Sequence, residues 1–215
     1  MIYDKYFKSK KSSLKRTKSK YFSLKGENIS PYDSSIKDGA AKLGWDWYLL
    51  AAQIFQESKF NPSAKSWAGA EGLLQVMPST GEEYGITDLM DPVKNLEAGT
   101  KHLQWLQDQW VDEITDSLEL QKFILASYNV GLGHLQDAIR LTEKFGGDIK
   151  KWEDVSLSLL KKEQRKYFTD PVVKYGYCRG SEPVEYVRKI QSVYQNYVDI
   201  FKGSAEDSKG DQRQS

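Results

Sequence analysis

The chain has 215 residues, 39% of them hydrophobic and 13% aromatic, enough for one ordinary domain with a real core. No apolar run approaches the roughly 20 residues of a membrane span, and no charged-then-apolar secretory signal opens the sequence. The lone Cys178 forbids an internal disulfide. His102 and His134 lie too far apart for metal-ligand spacing, so neither a metal nor a cofactor is expected.

The net charge of +1 conceals an asymmetry. Residues 1–29 hold nine Lys and Arg against Asp4 and Glu27, a local charge of +7, which leaves −6 for the remainder. Rich in Ser and Lys and weakly periodic, this arm reads as a basic linker or the remnant of a preceding module. It carries no nucleic-acid reader motif, and the acidic body argues against a nucleic-acid partner.

The compact region is expected over 30–203, and residues 204–215 read as a disordered tail. Ser30-Pro31 supplies a cap and a first-turn proline for a helix ending at Gly44. A second helix starts after Asp46, with Trp47, Leu50, Ala51 and Ile54 on one side. Glu57, three residues past Ile54, emerges at the edge of that apolar face, where desolvation disfavours a charged carboxylate. Asn61-Pro62 breaks the helix, and 66–72 reads as a loop. A third helix opens at Asp91-Pro92 with a stripe of Val93, Leu96, Leu103, Leu106 and Trp110. A fourth covers about 118–128 and ends in the Asn129-Val130-Gly131 turn. A fifth runs from Leu132 to Phe145. The last opens at Glu182-Pro183 and carries Val187, Ile190, Tyr194, Tyr197 and Phe201 toward Gly203. The fold is therefore expected to be mainly α, a single domain of packed helices, with room for one minor hairpin near Gly69–Gly72.

The segment ESKFNPSAKSWAGAEGLLQVMP, from Glu57 to Pro78, resembles the catalytic signature of the soluble-lytic-transglycosylase family, whose fold is related to goose-type lysozyme. Three later segments agree in order: DPVKNLEAGT at 91–100, ASYNVGLG at 126–133 and EPVEYVRKI at 182–190. Within the family, SKSWAGAEGL, ASYNVGLGH and DPVVKYGYCRGSEPVEYV resemble the membrane-bound murein transglycosylase F type. Members of that subgroup carry a solute-binding-like module ahead of the catalytic domain, so this chain is expected to be a catalytic fragment or natural truncation.

The resemblance implies a lysozyme-like domain that cleaves peptidoglycan between N-acetylmuramic acid and N-acetylglucosamine without water, leaving a 1,6-anhydro ring. It implies Glu57 as general acid and then base. It also implies Ser66, Gln75, Met77, Tyr128, Asn129 and Tyr186 as cleft residues. The expected partner is the glycan strand and the expected location the periplasm or cell envelope. The protein would be a monomer with membrane association through a preceding segment. Two departures touch subsite contacts: Glu182-Pro183-Val184 stands where the family often has Glu-Thr-Arg, and Leu74 where many members have Met. The alternatives are a hydrolytic muramidase, for which Glu71 is a candidate second acid, and a non-catalytic peptidoglycan-binding module. Structural roles compete at several positions. Gln75 can cap its turn, Tyr128 can pack, and Asn129 can serve the helix stop. Trp67 reads equally as platform or loop anchor; His134, Trp105 and Trp110 read as structural.

Overall fold

A computed structural model describes residues 20–22 and 28–201. Its helices are α1 (Asp33–Leu43), α2 (Trp47–Ser58), α3 (Pro78–Glu83), α4 (Pro92–Trp110), α5 (Ser117–Val130), α6 (Leu132–Lys144), α7 (Trp152–Lys161), α8 (Arg165–Phe168) and α9 (Ser181–Phe201). Among the described residues, β structure is confined to the isolated bridges Lys65–Glu71 and Glu71–Val76, in the region where a minor hairpin was expected. No described helix is long and apolar enough to cross a membrane. The described residues divide into two compact units, one formed by those up to Lys101 and from Ile190 to Phe201, the other by His102–Lys189.

In the first unit, α2 is buried almost all round: Leu49, Leu50, Ala51, Ala52, Ile54 and Phe55 are core residues. A helix apolar on every side belongs at the centre of its unit. Asp46 caps it, accepting from the Tyr48 amide at 3.1 Å, and Trp47 is only half-buried. The helix packing on it, α1, stops at Gly44 as its sequence predicts, with left-handed φ 66°. Its start differs from expectation. Pro31 and Tyr32 form a turn ahead of the helix, and the Asp33 carboxylate accepts from the Ile29 and Ser30 amides, each at 2.8 Å. Phe22, within the arm read as a linker, stacks 6.1 Å from Phe60, and its ring lies 5.1 Å from that of Phe55. Most of that arm and the tail 204–215 lie outside the described residues.

In the α4 stripe, Val93 is exposed and the buried series begins at Leu96, because the Val93 amide belongs to the Asp91 cap rather than to the packed turns.

The second unit is organised by α5, α6 and α7, which pack on one another. Trp110 is buried and donates from Nε1 to Ser127 Oγ at 2.9 Å, and its ring meets Phe123 edge-on. Trp105 is not core: it is exposed and stacked on His102. Asp116 caps α5 through the Leu118 and Glu119 amides, so the helix starts at Ser117 and extends to Val130, longer than 118–128. Helix α7, with Val155 and Leu159 buried, was not anticipated; neither were the short α3 and α8.

Candidate active site

Glu57 is the penultimate residue of α2 and is half-buried, at the edge of the apolar face that its spacing predicts. The helix ends abruptly after it. Lys59 and Phe60 both adopt left-handed backbone, φ 54° and 61°, before Asn61-Pro62 is reached. Such conformations cost roughly 1–3 kcal/mol each in a non-glycine residue. The Lys59 amide still donates to the Phe55 carbonyl at 3.1 Å, and the Phe60 ring is fully buried, which offsets that cost. The chain thus turns back on the helix immediately beyond the carboxylate.

The returning loop is tied to the helix end at the residue beside Glu57. Ser58 Oγ donates to the Leu73 carbonyl at 2.8 Å, fixing residues 61–77 to α2. Ser66 organises the outer turn: its hydroxyl accepts from the Ala70 amide at 3.0 Å, and its own amide donates to the Ala70 carbonyl at 2.9 Å. Trp67, at the tip, is 100% exposed, so it is no loop anchor. Glu71 and Val76 exchange two backbone hydrogen bonds, and the Glu71 carboxylate binds Lys65 Nζ at 2.8 Å.

Gln75, with left-handed φ of 50°, turns its side-chain amide into the loop. Nε2 donates to the Gly72 carbonyl at 2.9 Å and to the Ala64 carbonyl at 3.2 Å. Its amide N–H groups are therefore spent on holding the turn, which leaves the side-chain oxygen as its acceptor. Met77 is exposed and precedes α3 as its cap residue, with Pro78 in the first position.

Asn95 completes this frame and was not singled out from sequence. It is 1% exposed, on α4. Its Oδ1 accepts from the Leu74 amide at 2.8 Å, while Nδ2 donates to the carbonyls of Glu71 at 2.8 Å and Leu89 at 2.9 Å. One side chain thus bonds three backbone groups, two of them in the buried part of the frame, where an unmet bond is costly. Gly72 permits the approach: a Cβ there would lie 2.3 Å from Asn95 Nδ2 and 2.4 Å from the Leu89 oxygen. The available signal was an asparagine three residues into a helix and next to the core position Leu96, where its poor helix propensity needs a reason.

The other expected cleft residues belong to the second unit. Tyr128 and Asn129 occupy the last turn of α5, which Gly131 ends with φ 87°. Tyr128 is half-buried with its ring 5.5 Å from that of His102, whereas Asn129 is exposed. Tyr186 is buried in the first turns of α9. Glu57, Ser66, Gln75 and Met77 lie in the first unit; Tyr128, Asn129 and Tyr186 lie in the second. Among the described residues, no three or more His, Cys, Asp or Glu side chains are grouped to hold a metal ion.

Residues 34–151 match the family described as Transglycosylase SLT domain. Among curated relatives, membrane-bound lytic murein transglycosylase F of Desulfosudis oleivorans is 39% identical over 167 residues, covering 78% of this chain and 35% of that protein. The protein of the same name from Pasteurella multocida is 41% identical over 157 residues, covering 73% and 31%. The chain thus spans about a third of the length of these relatives. Among solved structures, the 70 kDa soluble lytic transglycosylase of Escherichia coli superposes with a TM-score of 0.51 at 23% identity, over 78% of this chain and 24% of that one. An inactive mutant of lytic transglycosylase Slt from Pseudomonas aeruginosa gives 0.54 at 20% identity, over 79% and 24%. These two likenesses establish a shared lysozyme-like, mainly helical fold.

Proposed function

The chain belongs to the transglycosylase SLT domain family, and on that premise we propose that it is a peptidoglycan lytic transglycosylase with Glu57 as its single acid/base. The observation that carries this reading is the position of Glu57. It is a half-buried carboxylate at the end of a fully packed helix, with Ser58 beside it locking the motif loop in place.

In the proposed reaction, Glu57 begins protonated and donates to the oxygen of the β-1,4 bond between N-acetylmuramic acid and N-acetylglucosamine. The C1–O bond breaks and the leaving chain departs with a new hydroxyl. The C6 hydroxyl of the same muramic acid then forms the new bond to C1, and the Glu57 carboxylate takes its proton. No water is consumed, the product is a 1,6-anhydro ring, and Glu57 ends as it began. An intramolecular nucleophile gains a large effective concentration over solvent. Assistance by the neighbouring N-acetyl group removes the need for a second carboxylate. Ser66, Gln75, Met77, Tyr128, Asn129 and Tyr186 are the proposed substrate contacts. The chain would act as a monomer in the cell envelope, without metal or cofactor.

One observation weighs against the hydrolytic alternative. Glu71, the candidate second acid, has its carboxylate bound by Lys65 within the motif loop. Its Oε1 is thereby occupied by the loop's own ammonium group.

Purified peptidoglycan suspensions test the role of Glu57. Glu57→Gln keeps the shape but loses the transferable proton, and clearing should slow by about 10²- to 10⁴-fold. Clearing at the wild-type rate would exclude Glu57 as the acid/base.

A further inference from the structure

The second unit contains a buried ionic cluster that the proposed acid/base step does not use. Asp137, on α6, is fully buried. It accepts from Lys162 Nζ at 2.8 Å, from the amides of Lys174 at 2.7 Å and Tyr175 at 2.8 Å, and from the Arg140 guanidinium. Arg140 Nε also donates to the Val172 carbonyl at 2.8 Å, so the cluster fastens residues 172–175 to α6. Lys162 is 0% exposed and extends the cluster to His134, with Nζ 3.1 Å from Nδ1 and 3.3 Å from the His134 carbonyl oxygen. A buried ion cluster is a weak source of stability compared with apolar packing, so what it positions is of more interest.

It positions an imidazole and an aromatic ring. An ammonium group only donates, so the ring nitrogen facing Lys162 must offer its lone pair, and the imidazole proton sits on Nε2. Among the described residues, no hydrogen bond occupies Nε2. Burial first, and then the charge of Lys162, keep the imidazole pKa below its usual value against the pull of Asp137, so the ring stays neutral. The Tyr175 ring stands edge-on to it, centroids 6.2 Å apart. That ring is pinned twice. Asp137 holds its backbone amide, and the ring lies over Gly133, where a Cβ would come within 2.6 Å of its carbons. Tyr175 is nevertheless 57% exposed. A fixed, largely exposed aromatic ring next to a half-buried neutral imidazole is suited to holding a sugar ring, whose C–H face needs an apolar platform and whose substituents need a donor.

We propose that Tyr175 and His134 form a saccharide contact, in which the Tyr175 ring takes the C–H face of an N-acetylated amino sugar and His134 Nε2–H donates to its acetamido oxygen. The proposal rests on the glycan-strand reading above and deepens it by naming two positioning residues in the second unit.

Two substitutions separate the roles of the two ring nitrogens. Asn places an acceptor near the Nδ1 position, preserving the Lys162 bond, and leaves nothing at Nε2. Gln reaches the Nε2 position with an amide N–H and abandons the Nδ1 position. In a Glu57→Gln background, binding of tetra-N-acetylchitotetraose is measured by calorimetry. His134→Asn should keep the parent's melting temperature yet bind about fivefold more weakly, the scale of one neutral hydrogen bond. Tyr175→Ala should weaken binding at least as much, and His134→Gln should recover part of the loss. In the active enzyme, the His134→Asn defect should fall on KM. Equal affinity for His134→Asn and its parent would overturn the proposal. So would Gln binding more weakly than Asn, which marks a ring serving Lys162 alone. A wild-type chain that cleaves peptidoglycan while the Glu57→Gln parent does not bind the tetrasaccharide contradicts the contact. A wild-type chain that binds it but cleaves nothing supports the contact and sinks the catalytic reading.

Discussion

His134 and Glu57 show how differently a single titratable side chain can be read from its neighbours. Glu57 is legible from spacing and motif, because everything that places it lies on its own helix. His134 reads as structural because the ammonium that fixes its tautomer comes from Lys162, 28 residues away on the chain. Its neutrality has a consequence for stability. With its folded pKa below the ordinary value near 6.5, the unfolded chain binds the proton first as pH falls. Stability contributed by the neutral ring is complete above about pH 6.5 and is lost as pH drops through the folded pKa. The groups facing the ring are Lys162, Asp137 and Tyr175. Asp137 is the opposing influence, yet its own carboxyl stays below the usual range, since the donors around it outweigh its burial. Urea unfolding at pH 7.5 and 5.5 should therefore show a decline in wild type that is smaller in His134→Asn. The same decline in both proteins would place the proton elsewhere.

At the level of elements, the sequence announces helices that carry their own punctuation. Asp46 opens α2, Asp91-Pro92 opens α4, Gly44 closes α1 and Gly131 closes α5, each by local bonding. Helices α3 and α8, of six and four residues, are too short to display a period. Helix α7 does show one in Trp152, Val155 and Leu159 and could have been read. The loop 61–77 is another matter, since its shape is imposed from outside. Asn95 on α4 reaches back 21 and 24 residues to Leu74 and Glu71, and no local pattern encodes that. Removing it should loosen the loop. Asn95→Ala removes the buried bonds to the Leu74 amide and the Leu89 carbonyl, each worth about 1–3 kcal/mol, while the Glu71 carbonyl keeps the Val76 amide, so stability should fall by about 2 kcal/mol or more. Denaturant titration measures this; a loss below about 1 kcal/mol would mean water replaces the clasp.

For the molecule as a whole, the seven residues named from family resemblance divide between two compact units, four in one and three in the other. The acidic body and basic arm are readable from composition, but nothing in the periodicity of α4 or α9 announces that the chain passes between units within each. The chain covers only about a third of the curated relatives it matches, so its own activity has to be established on this chain. The most direct test is to digest purified peptidoglycan with the 215-residue chain and with Glu57→Gln, then weigh the released muropeptides. Glycan ends lighter by one water than reducing-end products, present with wild type and absent with the mutant, are the predicted result. Reducing ends bearing the added water would contradict the account and make the chain a muramidase.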